Sequence, residues 1–412
     1  MAQQNKPIKR IAIFGSHISW DGGVDFLCYL LQSIQKSTQG EIDFYLIVPY
    51  PIVSKLKSGA LYFLNNKFRL GPLFNSKVKI FENKNLKIEN GLRVNKIPYK
   101  KIYYNYTKSD LAKQLKKINA DVLFPSIESL GTHFSTPWIG YIPDLQHKHF
   151  ANHFTDDEIR ARDYKYKKLL KDSKVLFVNS QAAHKDLLDQ YGAHYNNIVS
   201  LPFCPPAPLA AISASLENSI REKYNITTPY FIISNQFWKH KSHATAFKAI
   251  HHLQSLTDQP ITLICTGKPF DNKDPAFIEG LFQLISDLDI KSKVLFTGFI
   301  PKEDQLALMY MALAVIQPTL FEGGPGGGSV YNAISYDVPC IISDIDINKE
   351  VKGNHIQYFK ATDERDLAKK MLNMINHPPE RIYDFETLVQ RGNQRTEELG
   401  IEMIKMIKRA IS

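Results

Sequence analysis

Between an apolar run, Leu313 to Gln317, and a helical run near Ser329, the chain reads Pro318-Thr319-Leu320-Phe321-Glu322-Gly323-Gly324-Pro325-Gly326-Gly327-Gly328, a carboxylate followed by five glycines. Glycine loses more conformational freedom on folding than any other residue, so such a cluster marks a place where backbone must approach something closely. The free N–H groups of the following helix would face the same partner and favour an anion such as a diphosphate. After the helix comes Val338-Pro339-Cys340-Ile341-Ile342-Ser343-Asp344, a short buried-type strand, and then Ile347-Asn348-Lys349-Glu350-Val351. Strand, glycine loop, helix and strand make one unit of a parallel α/β sheet, in which ligands sit at the carboxyl ends of the strands.

The order P-T-L-F-E-G-G-P-G-G-G-S-V-Y-N-A, then V-P-C-I-I-S-D-I and K-E-V, resembles the donor-site signature of the retaining glycosyltransferases of family 4. That resemblance implies an α/β chain of GT-B fold, with two Rossmann-like domains whose parallel sheets face a central cleft. It further implies transfer of a sugar, with retention, from a nucleotide-sugar donor to a glycan, lipid-linked or other hydroxyl acceptor. The context it implies is cell-surface polysaccharide or lipopolysaccharide synthesis. On this basis Glu322 would orient sugar hydroxyls or support positive charge on the ring, and Gly324, Gly326, Gly327, Gly328 and Ser329 would lie along the donor. Two departures stand out: the loop is longer than the usual E-G-F-G-x-x-x-x-E-A, and Asn332 stands where the family carries its second acidic residue.

A second strand, Tyr230 to Ser234, leads into Asn235-Gln236-Phe237-Trp238-Lys239-His240-Lys241-Ser242-His243 and a helix from Ala244 to Leu253. Cationic groups at such a turn suit a phosphate. In the resembling family this turn holds an arginine and a lysine on the donor diphosphate; Lys241 matches the lysine, and Gln236 occupies the arginine's place. Further on, Val294-Leu295-Phe296-Thr297-Gly298-Phe299-Ile300 is a strand and loop of the kind that meets the nucleotide base there.

The chain's first unit opens with the strand Arg10 to Phe14, a turn containing Gly22 and Gly23, the apolar helix Val24 to Ile34 and the strand Ile42 to Val48, a βαβ start. A glycine pair before a helix is weak on its own, but the resemblance places Gly22 and Gly23 on the acceptor side of the cleft. Strands are expected at Asp121 to Phe124, Trp138 to Ile142 and Lys174 to Val178, and helices at Lys108 to Lys117, Asp157 to Leu170 and Ala182 to Gln190. At the strand end Tyr141-Ile142-Pro143-Asp144-Leu145-Gln146-His147, many family members carry a His-Asp pair; here Pro143 fills the histidine's place, Asp144 matches the acid, and His147 offers an imidazole from the same loop. Asp144, His147 and Glu322 are therefore the candidate catalytic residues, although a lone histidine is as readily a core residue.

At 412 residues the chain exceeds one comfortable core, so two large domains are expected. The Pro-rich stretch Pro202 to Pro208, with weak patterning to about Asn225, reads as the linker. The expected division is 1–205 on the acceptor side, 206–390 on the donor side, and 391–412 as a terminal helix packing back on the first domain, its helical run placed at Glu397 to Ile411. No run of eighteen apolar residues and no signal-peptide core occur, and Cys28, Cys204, Cys265 and Cys340 are scattered, so a cytosolic protein with free thiols is expected.

The net charge is +10. Lys165, Lys167, Lys168, Lys171 and Lys174 crowd one helical stretch and read mainly as a solvated face. Lys96, Lys100 and Lys101 among Tyr99, Tyr103, Tyr104 and Tyr106 mix bases with rings, which suits an anionic membrane surface or a phosphate-bearing acceptor; nucleic acid ranks last for want of a motif. No cofactor or metal is expected, since Asp344-Ile345-Asp346 matches the family's turn after the last core strand rather than a cation site. Asn332 and Gln236 keep open a nucleotide-sugar-binding GT-B protein without transfer activity; a related GT-B epimerase or phosphorylase is the other alternative.

Overall fold

The computed structural model describes residues 7–15, 18, 21–50, 85–105, 107–192, 195–270 and 274–412. Among them the first sheet has strands β1 (Arg10–Ile13), β2 (Asp43–Pro49), β3 (Lys100–Tyr104), β4 (Val122–Ser126), β5 (Trp138–Tyr141), β6 (Val175–Val178) and β7 (Ile198–Ser200), in the order β3-β2-β1-β4-β5-β6-β7. The second has β8 (Tyr230–Ser234), β9 (Thr262–Thr266), β10 (Val294–Gly298), β11 (Ala314–Gln317), β12 (Cys340–Ser343) and β13 (Ile356–Phe359), in the order β10-β9-β8-β11-β12-β13. All pairings are parallel. Parallel strands need helical crossovers that cover both faces, which is why most of these strands are continuous apolar runs, the edge strand β3 excepted.

The crossovers are α1 (Asp21–Ser37), α2 (residues 85–94), α3 (Lys108–Lys117), α4 (Gln146–His149), α5 (Asp156–Asp172) and α6 (Gln181–Tyr191) around the first sheet. Around the second lie α7 (Ala214–Lys223), α8 (His243–Leu253), α9 (Pro275–Asp287), α10 (Lys302–Met311), α11 (Gly327–Ser335) and α12 (Glu364–Asn376), and the chain ends in α13 (Phe385–Ile411). Their starts are chemically marked: Thr155 and Glu158 form a reciprocal capping box at α5, and Asp274 with Pro275 opens α9. In each sheet the strand order reverses once, between β1 and β4 and between β8 and β11. Crevices for ligands open at such switch points, outside the carboxyl ends of the strands.

Each sheet has core on both faces. Ile11, Ile13, Phe124, Ile139 and Phe177 pack on α1 and on Leu399, Met403 and Ile407 of α13. Ala12, Leu123, Leu176 and Val178 pack on the opposite side with Leu169 of α5 and Leu187 of α6. Burial of each such aliphatic side chain stabilises by about 1.5–3 kcal/mol. The terminal helix thus lies on the first sheet although it follows the second. Its buried stripe, Leu388, Gly392, Thr396, Leu399, Gly400, Met403, Met406, Ile407 and Ala410, keeps helical spacing. Two glycines set how closely it approaches: a Cβ on Gly400 would stand 2.0 Å from the Ser33 carbonyl oxygen of α1, and one on Gly392 would stand 2.2 Å from the Cα of Ala207. Arg395 Nε also donates to the Pro205 carbonyl at 2.9 Å, so the Pro-rich crossing rests against the returning helix.

Several elements differ from expectation. The weakly patterned stretch after Pro208 contains α7, and the terminal helix starts at Phe385, where Asp384 caps it by accepting from the Thr387 N–H. Gly22 and Gly23 stand in the first turn of α1, which begins at Asp21, rather than in a turn before it. Strand β3 was hidden in the basic and aromatic cluster. Its Lys100 pairs with Asp43 at 3.2 Å, Lys101 pairs with Glu89 at 2.6 Å, and Tyr103 stacks on Tyr50; Tyr106 lies outside the described residues. Those lysines are already matched by carboxylates. All four cysteines are buried free thiols, and no helix among the described residues is long and apolar enough to cross a membrane.

Candidate active site

A cleft of about 1310 Å³ lies between the domains, walled by residues that follow β4, β5 and β6 on one side and β8, β9, β10 and β11 on the other. The second-domain wall is built from its switch point. The carbonyl of His240 accepts from Leu320 N at 2.7 Å and from Thr319 Oγ1 at 3.2 Å, tying the turn after β8 to the loop after β11. That tie brings Lys241 to Glu322, with Nζ and Oε1 2.5 Å apart and both side chains nearly buried. Gln317, fully buried at the end of β11, donates to Glu322 Oε1 at 2.8 Å and to the Gly326 carbonyl at 2.9 Å, while its own oxygen accepts from Asn235 Nδ2 at 2.5 Å.

Asn348 closes the other end of the glycine loop. Its Oδ1 accepts from Gly326 N at 3.0 Å, and its Nδ2 donates to the Ser343 carbonyl at 3.0 Å. Gly326 and Gly327 both have φ of +66°, the left-handed region that glycine enters without strain. A Cβ on Gly327 would stand 2.9 Å from Glu322 Oε2. No side chain caps α11, and Gly327, Gly328 and Ser329 at its start line the cleft, with Gly328 facing open space. Ser329 Oγ is buried without a hydrogen-bond partner among the described residues. An uncapped helix start beside an ammonium group suits an anion.

The remaining donor-side candidates divide. Gly324 and Asn332 line the cleft, and no hydrogen bond engages the Asn332 side chain among the described residues; Gln236 is exposed on the same wall and likewise unengaged. Gly326 sits behind the wall, where it holds the loop's shape through Asn348. On the first-domain side Gly22 lines the cleft, whereas Gly23 is buried behind it.

Asp144 reaches the cleft and accepts from Gln146 N at 3.0 Å and from Arg162 Nη1 at 3.2 Å. It faces the loop directly: a Cβ on Gly323 would lie 2.7 Å from the Pro143 carbonyl oxygen and 3.5 Å from the Asp144 Cβ. The structure does not bring His147 there. Residues 146–149 form the short helix α4, which turns His147 inward, fully buried, onto Asp163 at 3.0 Å and Tyr191 at 3.2 Å. Burial lowers the pKa of His147.

Polar side chains without a sequence signature join the domains. Asn179 Nδ2 donates to the Gly323 carbonyl at 3.1 Å, and Gln146 Nε2 meets His240 Nδ1 at 3.0 Å. Burial, with Lys241 alongside, pushes the His240 imidazole down to about 3, so it stays neutral and accepts from Gln146. Glu350 reaches from the second domain to the start of α6, accepting from Gln181 N at 2.9 Å and from Ala182 N at 2.6 Å. A carboxylate is favourable at a helix N-terminus, so it helps hold the domains in this arrangement. Among the described residues no group of three or more His, Cys, Asp or Glu side chains is placed to hold a metal ion.

Two parallel sheets with single switch points, facing one another across a cleft and strapped by a returning terminal helix, define a GT-B protein. The model of the glycosyl transferases group 1 family matches residues 217–384. In sequence the chain is similar to the O-antigen chain mannosyltransferase RfbU of Salmonella typhimurium, 27% identical over 171 residues that make up 42% of this chain. That match spans 44% of the relative's length. In structure it is similar to Anabaena Alr3699/HepE in complex with UDP and glucose, with a TM-score of 0.63 at 14% identity over 97% of this chain and 99% of that one. It is also similar to WaaG, a glycosyltransferase involved in lipopolysaccharide biosynthesis, with a TM-score of 0.52 at 13% identity over 98% of both chains. The chain is a GT-B-fold protein related to the group 1 glycosyltransferases.

Proposed function

We propose that the protein is a retaining glycosyltransferase that moves a sugar from a nucleotide-sugar donor to a glycan or lipid-linked hydroxyl, in cell-surface polysaccharide or lipopolysaccharide synthesis. The observation that carries this reading is the nearly buried Lys241–Glu322 pair beside the uncapped start of α11, inside the cleft. Sugar transfer develops negative charge on the departing diphosphate. Fixed N–H dipoles and an ammonium stabilise such charge by a few kcal/mol per positioned donor, roughly 3 kcal/mol in measured cases. Lys241 would exchange its carboxylate partner for the diphosphate as the donor enters. Glu322, released, would turn to the sugar, orienting its hydroxyls or supporting positive charge on the ring. Asp144, held by Arg162 and Gln146 N across from Gly323, would stand on the acceptor side of the reacting carbon. The likeness to RfbU and WaaG supports the polysaccharide and lipopolysaccharide context.

Asn332 tests the donor assignment. An amide oxygen accepts a hydrogen bond from a ribose hydroxyl, without the added strength of a charge. In calorimetry with a panel of nucleotide sugars, Asn332→Leu is expected to weaken the best-bound donor by roughly tenfold, the worth of one lost hydrogen bond left unmet. Asn332→Glu should match or exceed the unmutated protein. If the protein binds no nucleotide sugar and both variants behave alike, the donor site lies elsewhere.

A further inference from the structure

The basic run on α5 is not one uniform solvated face. Lys167, Lys168 and Lys171 are exposed, whereas Lys165 is half-buried and lines the cleft together with Arg162, one helical turn before it. Arg162 is anchored by Asp144 and stacks on Phe154, 4.7 Å from the ring centre. Lys165 forms no hydrogen bond and no ion pair among the described residues. Burial lowers its pKa; Glu128 opposes that shift and Arg162 adds to it. The Arg162–Asp144 pair abuts Gly323, the residue after Glu322, and Arg162 and Lys165 both line the first-domain wall of the cleft. Glu128 acts on Lys165 only through space, and Asp144 is taken up by Arg162, so the partly desolvated ammonium has no direct anionic partner among the described residues.

We propose that the acceptor carries a phosphate group and that Lys165, with Arg162, receives it. The inference rests on the glycosyl-transfer reading above and names the acceptor class for that site. Phosphate offers several acceptor oxygens at once, which suits a compact ammonium next to a planar fork already fixed in orientation. The phosphate belongs either to a soluble sugar or glycan or to the headgroup of a lipid carrier.

The test uses the full chain saturated with whichever of UDP, GDP, ADP and TDP binds, so that the diphosphate site is filled. The loaded protein is titrated with glucose 6-phosphate, with glucose, and with phosphatidylcholine vesicles carrying a polyprenyl phosphate. At least one phosphate probe should bind better than glucose, Lys165→Met should weaken it by roughly tenfold, Lys165→Arg should retain it, and Lys167→Met on the exposed face should change nothing. Binding confined to the sugar phosphate assigns a soluble or glycan source, and binding confined to the vesicles assigns a lipid source. A loaded wild type that takes neither phosphate probe, or a Lys165→Met protein that matches it, overturns the proposal. Failure of every nucleoside diphosphate to bind brings down the donor-site reading, and this proposal with it.

Discussion

Replacing Glu322 with glutamine should leave a folded protein that binds nucleoside diphosphate at least as tightly as the wild type but transfers sugar at least about a hundredfold more slowly. The first half follows from the resting geometry. Glu322 Oε1 accepts from both Lys241 and Gln317, so the carboxylate competes with the diphosphate for Lys241. Glutamine keeps the shape and one accepting oxygen but not the charge, which leaves Lys241 freer to meet a phosphate. The second half follows from the loss of a fixed negative charge next to the sugar. Without ligand the variant leaves a nearly buried ammonium under-compensated, a cost of about 1–3 kcal/mol that bound nucleotide should offset. Thermal melting with and without nucleoside diphosphate, alongside a transfer assay, reads all three effects. Wild-type transfer by a correctly folded variant would refute the role given to Glu322.

Lys241→Ala should act in the opposite sense on binding. Its ammonium would meet only the phosphates, so affinity for nucleoside diphosphate is expected to fall by about 10- to 100-fold while affinity for the bare nucleoside falls less than about threefold. The side chain is nearly buried, and its removal strands Glu322, so some loss of stability should accompany it. Comparing the two ligands separates the effects, because general destabilisation lowers both affinities alike. Equal losses would place the diphosphate elsewhere.

The parallel α/β architecture was legible because most of its strands are apolar runs followed by helical periodicity; the edge strand β3, opening on Lys100 and Lys101, lacks that signature and was not. The loop at Glu322 was legible because glycine clusters have few other uses. What holds that loop was not. Gln317, Asn235 and Asn348 are ordinary polar residues in sequence, and their value comes from partners set by the strand order, Asn235 lying beyond a different strand from Gln317. Gln317, ending an apolar strand, and Asn348, between an apolar strand and Val351, are both fully buried amides, and their apolar surroundings were the one hint available. The direction of His147 depended on a four-residue helix too short to show any period, and that turn carries Gln146 rather than His147 to the other domain. For Lys165 the basic run masked the helical phase, since lysines at neighbouring positions read alike until the helix is packed.

The most direct test of the central claim is nucleoside diphosphate release from a panel of nucleotide sugars by the unmutated protein in chelator, with and without a truncated lipopolysaccharide or polyprenyl-linked glycan acceptor. At least one nucleotide sugar should release its nucleoside diphosphate in the presence of acceptor, much faster than in its absence. Tight binding of a nucleotide sugar with no acceptor-dependent release, or no binding at all, would contradict it.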